Sequence, residues 1–224
     1  MFRHAVAALA VGITLGGCSG GVSATHPTPK LVPPSALDGL LLDVDDINAV
    51  MGTTGMKLHQ SFDVMEDHRN LLPNLNCLGI WEVGESAIYG PSGFSGVRGQ
   101  VLRDPDTDKW NSLAVQAVVS YPSADSAKTF YNQSSDRWSQ CSNHKVNLTV
   151  NDRPASAWAF GSLAATDTEL TMPMSRTSGG GQSCQRAFAV EGNVIIDVAA
   201  CGPSMTDQAK AIVGKIQSRI PVSG

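Results

Sequence analysis

The spacing of apolar residues along the chain predicts three helices. Residues 36–52 contain the first, with Asp43 as its N-cap and Gly52 as its stop. Residues 123–141 form the second, and the third begins at Ser204. Helical spacing assigns to the core Ile47, Val50 and Met51 in the first helix, Ala127, Phe130, Tyr131, Ser134, Trp138 and Cys141 in the second, and Ala209, Ile212, Val213, Ile216 and Ile220 in the third.

Shorter apolar runs, bounded by turn-forming residues, predict strands. These runs lie at residues 56–58, 77–83, 86–90, 97–103, 113–122, 146–150, 156–161 and 169–176. Successive runs are joined by short turns, and there is no regular alternation of strand and helix. We therefore expect an α+β fold, in which an antiparallel sheet packs against about three helices.

The segment CQRAFAVEGNVIIDVAAC, residues 184–201, predicts a β-hairpin. Its two apolar runs flank Gly192-Asn193, a dipeptide suited to a two-residue turn of the primed type. With the turn there, Cys184 lies directly opposite Cys201 in a non-hydrogen-bonded pair, where Cα atoms approach to roughly 4.5 Å. That separation is within the range that a disulfide tolerates.

The same register predicts an ion pair inside the hairpin. Phe188 lies opposite Asp197, and Arg186 lies diagonal to Asp197 on the same face. We interpret Arg186 and Asp197 as a structural ion pair.

Four cysteines follow the N-terminal segment, and an even number in an exported chain indicates two disulfides. Since the hairpin pairs Cys184 with Cys201, Cys77 is left with Cys141. The alternative is a metal site of four thiolates. The chain has no C-x-x-C pair, so we expect no metal.

The first residues indicate export and a lipid anchor. An apolar run of about eleven residues, Ala5–Leu15, is too short to span a bilayer, which needs roughly 20, and is typical of a signal peptide. The sequence Leu15-Gly16-Gly17-Cys18 that ends it resembles a bacterial lipobox, in which the cysteine becomes the acylated N-terminus. A secreted protein with a chance cysteine, or an uncleaved start, are the alternatives.

This interpretation divides the chain into three parts. We expect a lipoprotein signal peptide at residues 1–17, a flexible tether at 18–35 and a folded domain at 36–224. Ser, Gly, Thr and Pro dominate the expected tether, so it cannot bury a core.

The charge of the chain excludes some partners. It carries 16 basic and 20 acidic residues, a formal net charge of −4. The basic residues do not cluster, so we expect no nucleic-acid partner, which Lys and Arg would have to hold through its phosphates. For the same reason we expect no attraction to anionic lipid head groups.

Polar residues on two predicted strands suggest where a ligand would bind. Arg98 and Gln100 share one face of their strand, and Gln116 lies on one face of the strand that follows. If these faces coincide, the sheet has a polar side away from the helices. Arg98 would then meet an anionic or carbohydrate ligand, with Trp81 or Tyr89 as a stacking surface. The alternative is a solvated sheet face without a ligand.

Catalytic and metal-binding patterns are weak. The loop GPSGFSG, residues 90–96, misses the nucleophile pattern G-x-S-x-G in every register, although its amides could hold an anion. The histidines after the signal segment are scattered and none pairs with another at ligand spacing. We therefore predict no enzymatic activity, no metal and no cofactor.

Four segments carry a resemblance to a known family. They are LLLDVDDINAVMG; CLGIWEV followed by AIYGPSGFSGVRGQVLRDP; AVVSYPSADSAKTFY leading to RWSQC; and CQRAFAVEGNVIIDVAACG. Most of residues 36–220 resembles the extracellular sensor domains of mycobacterial PknH-like kinases and the lipoproteins that carry the same domain. The resemblance implies a mixed α/β domain with two disulfides and a cleft proposed to bind a ligand.

Together these observations predict a lipid-anchored sensor or ligand-binding lipoprotein on the extracytoplasmic face of the cell membrane. It would bind an unidentified envelope-derived small molecule, glycan or lipid without covalent chemistry. The alternative is an interaction module that docks on a kinase ectodomain or another envelope protein without a small ligand. A deep cleft with convergent polar groups would favour the first function, and a flat apolar patch would favour the second.

Overall fold

A computed structural model describes residues 30–148, 156–177 and 181–221 of the protein. Within these ranges nine strands form one antiparallel sheet in the order β1-β2-β3-β9-β8-β7-β5-β4, and β6 pairs with β7. The strands are β1 (Lys57–Phe62), β2 (Gly96–Asp104), β3 (Ser112–Ser120), β4 (Lys145–Leu148), β5 (Ser156–Phe160), β6 (Ala164–Ala165), β7 (Glu169–Arg176), β8 (Ser183–Glu191) and β9 (Val194–Gly202). The predicted α+β class is confirmed.

The helices are α1 (Val44–Met51), α2 (Leu75–Trp81), α3 (Ser86–Tyr89), α4 (Ala124–Cys141) and α5 (Gln208–Gln217), with short 3-10 helices at Pro34–Leu40 and Gly90–Ser92. They cover both faces of the sheet. On one face, which we call the cleft face, α2, α3 and α4 pack on an apolar cluster that includes Val119, Ile195 and Phe188. On the opposite face, the first 3-10 helix, α1 and α5 pack on a second cluster that includes Val118 and Ile196. Alternate residues of one strand therefore enter two different cores.

The predicted helix caps are confirmed for α1 and α4. The Asp43 carboxylate accepts a hydrogen bond from the Asp46 amide at 2.8 Å, and Gly52 ends α1 with φ +69°. Ser123 caps α4 in the same way through the Ser126 amide, and all six residues predicted to face the core are buried.

The last helix begins later than predicted, at Gln208 and not at Ser204. The Met205 amide donates to the Ser183 hydroxyl at 2.8 Å, which holds this segment as a loop against β8. The Gln208 side chain then accepts hydrogen bonds from the amides of Thr206 and Asp207.

Two predicted strands, 77–83 and 86–90, are wrong, because α2 and α3 occupy these residues. Asn74 and Glu85 cap the two helices through side-chain oxygens. A short apolar run that is buried on several sides has no periodicity that separates a strand from a helix, so the sequence pattern could not decide between them.

Two buried side-chain amides bind the N-terminal segment to the sheet. Asn193, in the hairpin turn, accepts from the Val32 amide at 2.8 Å and donates to the Val32 carbonyl at 3.1 Å. Gln116 makes the same pair of bonds with Leu42, at 3.0 and 2.8 Å. Because Val32 is buried, the packed part of the chain begins before residue 36, where the sequence placed the end of the tether. The signal segment and Cys18 lie outside the described residues.

Both predicted disulfides are present. Cys184 and Cys201 are paired in the predicted register, with Cα atoms 4.0 Å apart. Cys77 and Cys141 join α2 to α4, with Cα atoms 5.5 Å apart.

The predicted ion pair is also present, and it is fully buried. The Arg186 Nη2 atom lies 2.6 Å from the Asp197 Oδ1 atom. Arg186 also donates to the carbonyl of Ile80, in the last turn of α2, at 2.6 Å. The second Asp197 oxygen accepts from the Gly84 amide and the Tyr89 hydroxyl, both at 3.0 Å. The pair therefore fixes the corner between α2 and α3 above the sheet.

We expect the two disulfides to stabilise the fold unequally. They close loops with sequence separations of 64 and 17 residues. On the chain-entropy model, Cys77→Ala/Cys141→Ala should lower the free energy of unfolding by about 4 kcal/mol and Cys184→Ala/Cys201→Ala by about 3 kcal/mol. Guanidinium denaturation of the two double variants measures both values, and the reverse order would contradict the model.

Loss of either partner of the buried ion pair should be severe. Arg186→Met or Asp197→Asn leaves the other charge buried without its partner, and each should lower the free energy of unfolding by about 3–5 kcal/mol. The control is Lys210→Met, which removes an exposed contact to Glu169 at 3.6 Å and should cost less than about 1 kcal/mol. If urea denaturation gave similar losses of unfolding free energy for all three variants, the ion pair would not fix the corner between α2 and α3.

Candidate functional site

A cleft of about 730 Å³ opens on the cleft face of the sheet. Its floor follows one row of cross-strand neighbours at the end of the hairpin that carries the cysteines: Leu113, Cys201, Cys184 and Met174. One wall is formed by the C-terminal end of α2 and the residues that follow it, Trp81–Gly84. The sheet thus supplies a rigid floor, and the corner held by the ion pair supplies a wall.

Three tryptophans line the cleft. Trp81 ends α2, Trp110 lies between β2 and β3, and Trp158 lies on β5. The rings of Trp81 and Trp158 meet edge to face, with centroids 4.9 Å apart. Large aromatic surfaces of this kind bind apolar groups and sugar faces. The fourth tryptophan, Trp138, is buried in α4.

A glycine on β2 makes room for another aromatic side chain of the cleft. A Cβ atom at Gly99 would lie 2.0 Å from the ring of Phe62, its cross-strand neighbour on β1. The Phe62 ring also approaches Gly84, which adopts φ +67°. A side chain at position 99 would therefore displace Phe62 from the wall.

Acidic residues and a histidine occupy one side of the cleft. The His68 Nδ1 atom lies 3.1 Å from the Glu85 carboxylate, and its Nε2 atom lies 3.5 Å from the Glu66 carboxylate. Burial lowers the pKa of His68, but Glu82, Glu85 and Glu66 together raise that pKa above its ordinary value. Burial raises the pKa of Glu82, although His68 opposes this effect. These charges partly neutralise one another.

Basic residues gather at the other end of the cleft, near the cysteine row. Arg103 lies on the cleft face of β2, Arg176 lies on β7 opposite Trp158, and Lys109 lies in the turn before β3. The Arg103 Nη1 atom contacts the exposed Asp108 carboxylate at 3.4 Å, a long hydrogen bond. Its Nε atom is buried and has no hydrogen-bond partner among the described residues.

Of the ligand-binding residues predicted from sequence, Trp81 lines the cleft. Arg98 lies on the opposite face and contacts Asp38 at 3.1 Å. Gln116 is buried on that face and donates to Gln100 at 2.9 Å. Tyr89, the last residue of α3, is buried, and its hydroxyl donates to Asp197.

The predicted open polar face does not exist in the structure. The N-terminal segment covers the face that carries Gln116, and Gln116 binds the backbone of Leu42 there. The expectation of a polar side away from the helices is therefore wrong, because helices cover both faces. Nothing in a strand pattern reveals which segment folds over which face.

Four residues that line the cleft were not predicted from the sequence: Trp110, Trp158, Arg103 and Arg176. Two of them could have been found from strand alternation. Alternate residues of a strand share a face, so Arg103 lies on the same face as Val101, and Trp158 lies on the same face as Phe160. Their convergence depends on the strand order, which crosses from β3 to β9 and which the sequence does not show.

The described residues show little that favours catalysis. No group of three or more His, Cys, Asp or Glu side chains in the described ranges is placed to hold a metal ion. The His68 ring in the cleft contacts carboxylates, and no serine hydroxyl hydrogen-bonds a histidine ring in this part of the chain. None of the helices described here is both long and apolar enough to cross a membrane.

Comparison with known proteins identifies the fold. A family model described as the PknH-like extracellular domain matches residues 32–219. The serine/threonine-protein kinases PknH of Mycobacterium bovis and Mycobacterium tuberculosis are 31% identical over 192 residues. These residues cover 86% of this chain and 32% and 30% of the two kinases. The chain thus spans about a third of the length of the curated relatives it matches.

The crystal structure of the extracellular domain of PknH from Mycobacterium tuberculosis has the same fold. It superposes with a TM-score of 0.79 at 30% sequence identity, and the match covers 85% of this chain and 97% of that one. The similarity is to the extracellular domain of the kinase and not to its catalytic domain. On the evidence of sequence and fold, the chain belongs to the PknH-like extracellular domain family.

Proposed function

We propose that this protein is a non-catalytic sensor-type domain that binds a ligand noncovalently in its cleft, on the extracytoplasmic side of the membrane. Its family is defined by extracellular domains, and its two disulfides suit an oxidising compartment. The bound molecule is a small molecule, glycan or lipid of the cell envelope.

The cleft itself is the observation that carries the proposal. Its volume of about 730 Å³ lies within the range of small-molecule sites, roughly 300–1,000 Å³. Aromatic rings, a histidine and charges of both signs converge on it, as expected of a site that orients a ligand. A rigid floor and a fixed wall keep these groups in place before binding, which reduces the entropy lost on association.

The alternative function, docking on a kinase ectodomain or another envelope protein, has less support. The large exposed hydrophobic residues of the described chain are Leu31, Leu58, Val64 and Leu75. One of them, Val64, lines the cleft, and the other three lie before the first 3-10 helix, on β1 and on α2. A protein-binding surface would need a contiguous apolar patch of several hundred Å².

We also propose that Cys18 carries the lipid anchor. The support is the lipobox-like sequence Leu15-Gly16-Gly17-Cys18 after a short apolar run. Acyl chains at this cysteine would hold the domain at the membrane through the residues between Cys18 and Val32.

Filling the cleft should abolish ligand retention. Ser156 lies on β5 and lines the cleft, so Ser156→Trp should block it. The control is Ser175→Trp, the same substitution at an exposed position of β7 on the opposite face. Native mass spectrometry of protein isolated from its own cell envelope should show a noncovalent mass increment that is kept in the control and lost in Ser156→Trp.

Two results would refute the ligand-binding proposal. One is a wild-type protein that carries no mass increment and shows no change of tryptophan emission with envelope extracts. The other is an increment that Ser156→Trp retains. An increment with the mass of a polypeptide would instead support the docking function.

Removal of the proposed lipid site should release the protein from the membrane. Cys18→Ser removes the only thiol at which the acyl chain could attach in this segment. We expect this variant in the soluble fraction, and the wild type in the membrane fraction until detergent is added. Equal membrane retention of both proteins would contradict the anchor.

A further inference from the structure

We propose that the ligand of this cleft is an amphiphilic oxyanion, whose negative group binds at Arg103 and whose apolar body lies across the tryptophans. This inference rests on the proposed function, since it names the chemical class of the molecule that the cleft binds.

The charge balance at the cysteine end of the cleft supports an anionic group. Arg103 is paired across strands with Lys57, so two cations lie side by side on one face of the sheet. Like charges directly opposite one another destabilise a sheet unless an anion lies between them. Asp108 is the acid that contacts Arg103, at 3.4 Å, and 84% of its side chain is exposed. Among the residues that the structure describes, no other carboxylate contacts Arg103, and none contacts Lys57.

Arginine geometry points to an oxyanion in particular. The side chain of Arg103 is four-fifths buried, and its Nε–H has no acceptor among the described residues. A buried donor without an acceptor is unfavourable, and a planar guanidinium binds a carboxylate, phosphate or sulfonate through two parallel hydrogen bonds. Arg176, opposite Trp158 on β7, lies at the same end of the sheet but four strands from Arg103. At about 4.8 Å per strand the two arginines are roughly 19 Å apart, so we assign the anion to Arg103.

The acidic side of the cleft does not oppose this assignment. Glu66 and Glu85 both contact the His68 ring, so these carboxylates already have a partner. The Gly84 amide, between Glu82 and Glu85 on the acidic side, bonds to Asp197, which lies four residues from Cys201 along β9. At about 3.4 Å per residue, Asp197 and Cys201 are roughly 13 Å apart. An anion at Arg103 is thus well separated from the acids.

The residues beside Arg103 indicate the apolar body. Across the sheet from Arg103 the lining is the row Leu113, Cys201, Cys184 and Met174, and the Trp158 ring meets that of Trp81 beyond it. Such a surface binds alkyl chains, rings or sugar faces. A free inorganic anion would leave it uncovered, which is why we assign an amphiphile.

Two naphthalene probes with the same scaffold test the charge requirement. 8-Anilinonaphthalene-1-sulfonate carries an oxyanion, and N-phenyl-1-naphthylamine is neutral. We expect energy transfer from the cleft tryptophans to both probes, with the sulfonate bound at least about tenfold more tightly. Its affinity should fall as salt is added, while that of the neutral probe should not.

Variants of single charges assign the site. Arg103→Met should weaken the sulfonate about five- to tenfold and leave the neutral probe unchanged. Asp108→Asn should strengthen the sulfonate a few-fold, because it removes the competing carboxylate. Arg98→Gln is the matched control, an arginine of the same strand on the opposite face, and should change neither affinity. Thermal unfolding checks that each variant is folded.

Competition identifies the source of the anion. Dodecanoate, dodecyl phosphate, dodecanol and inorganic phosphate are compared as competitors of the bound sulfonate. Displacement by either amphiphilic anion, with dodecanol and inorganic phosphate at least about tenfold weaker, supports the proposal, and the stronger of the two distinguishes a fatty acid from a phosphate head group.

The failures are distinguishable. Equal affinity for the charged and neutral probes, or equal competition by dodecanol, would overturn the oxyanion while leaving a ligand-binding cleft. Competition by inorganic phosphate as strong as by dodecyl phosphate would overturn the apolar body. Binding of both probes that Ser156→Trp does not weaken would refute the cleft as the binding site, and with it the proposed function.

Discussion

The contact between Arg186 and Asp197 connects the sheet of this protein to the wall of its cleft. Both side chains project from the central hairpin into the core, where an unpaired charge would be strongly unfavourable. They are stabilised together by the last carbonyls of α2, the amide of Gly84 and the hydroxyl of Tyr89. The guanidinium lies at the end of a helix where the dipole favours a positive charge. One polar cluster thereby decides where α2 ends, how the chain turns and where Trp81 points, and the cleft exists because these three features are held against a flat floor.

Local constraints in the chain were sufficient to predict the elements that surround this cluster. The hairpin register followed from a turn dipeptide and two cysteines, and the same register located Phe188 opposite Asp197. The second long helix was predicted with its cap and all its buried positions because it has an uninterrupted apolar stripe. The short helices α2 and α3 were not predicted, because each has fewer than three turns and is fixed by capping residues and tertiary contacts.

The candidate site was harder to predict than the fold. Trp81 was anticipated as a stacking surface, whereas Arg98 and Gln116 were assigned to a face that residues 32–42 cover. That covering depends on two side-chain amides, Asn193 and Gln116, which bind backbone groups 161 and 74 residues away in sequence. Contacts between residues so far apart in sequence produce no periodic pattern of apolar and polar residues. The basic end of the cleft was not predicted for the same reason: β2 and β7 become parts of one floor only through the crossover from β3 to β9.

The hydrogen bonds between the Asn193 side chain and Val32 also fix where the chain enters the fold. The chain enters the fold at Val32, beside the hairpin turn, whereas the cysteines and the basic end of the cleft lie at the far end of the same two strands. A strand of nine residues spans roughly 25–30 Å. The floor of the cleft at the cysteine row and the entry of the chain at Val32 therefore lie at opposite ends of the hairpin. Residues joined to the N-terminal side of Val32 are remote from that floor, and their replacement would leave it unchanged.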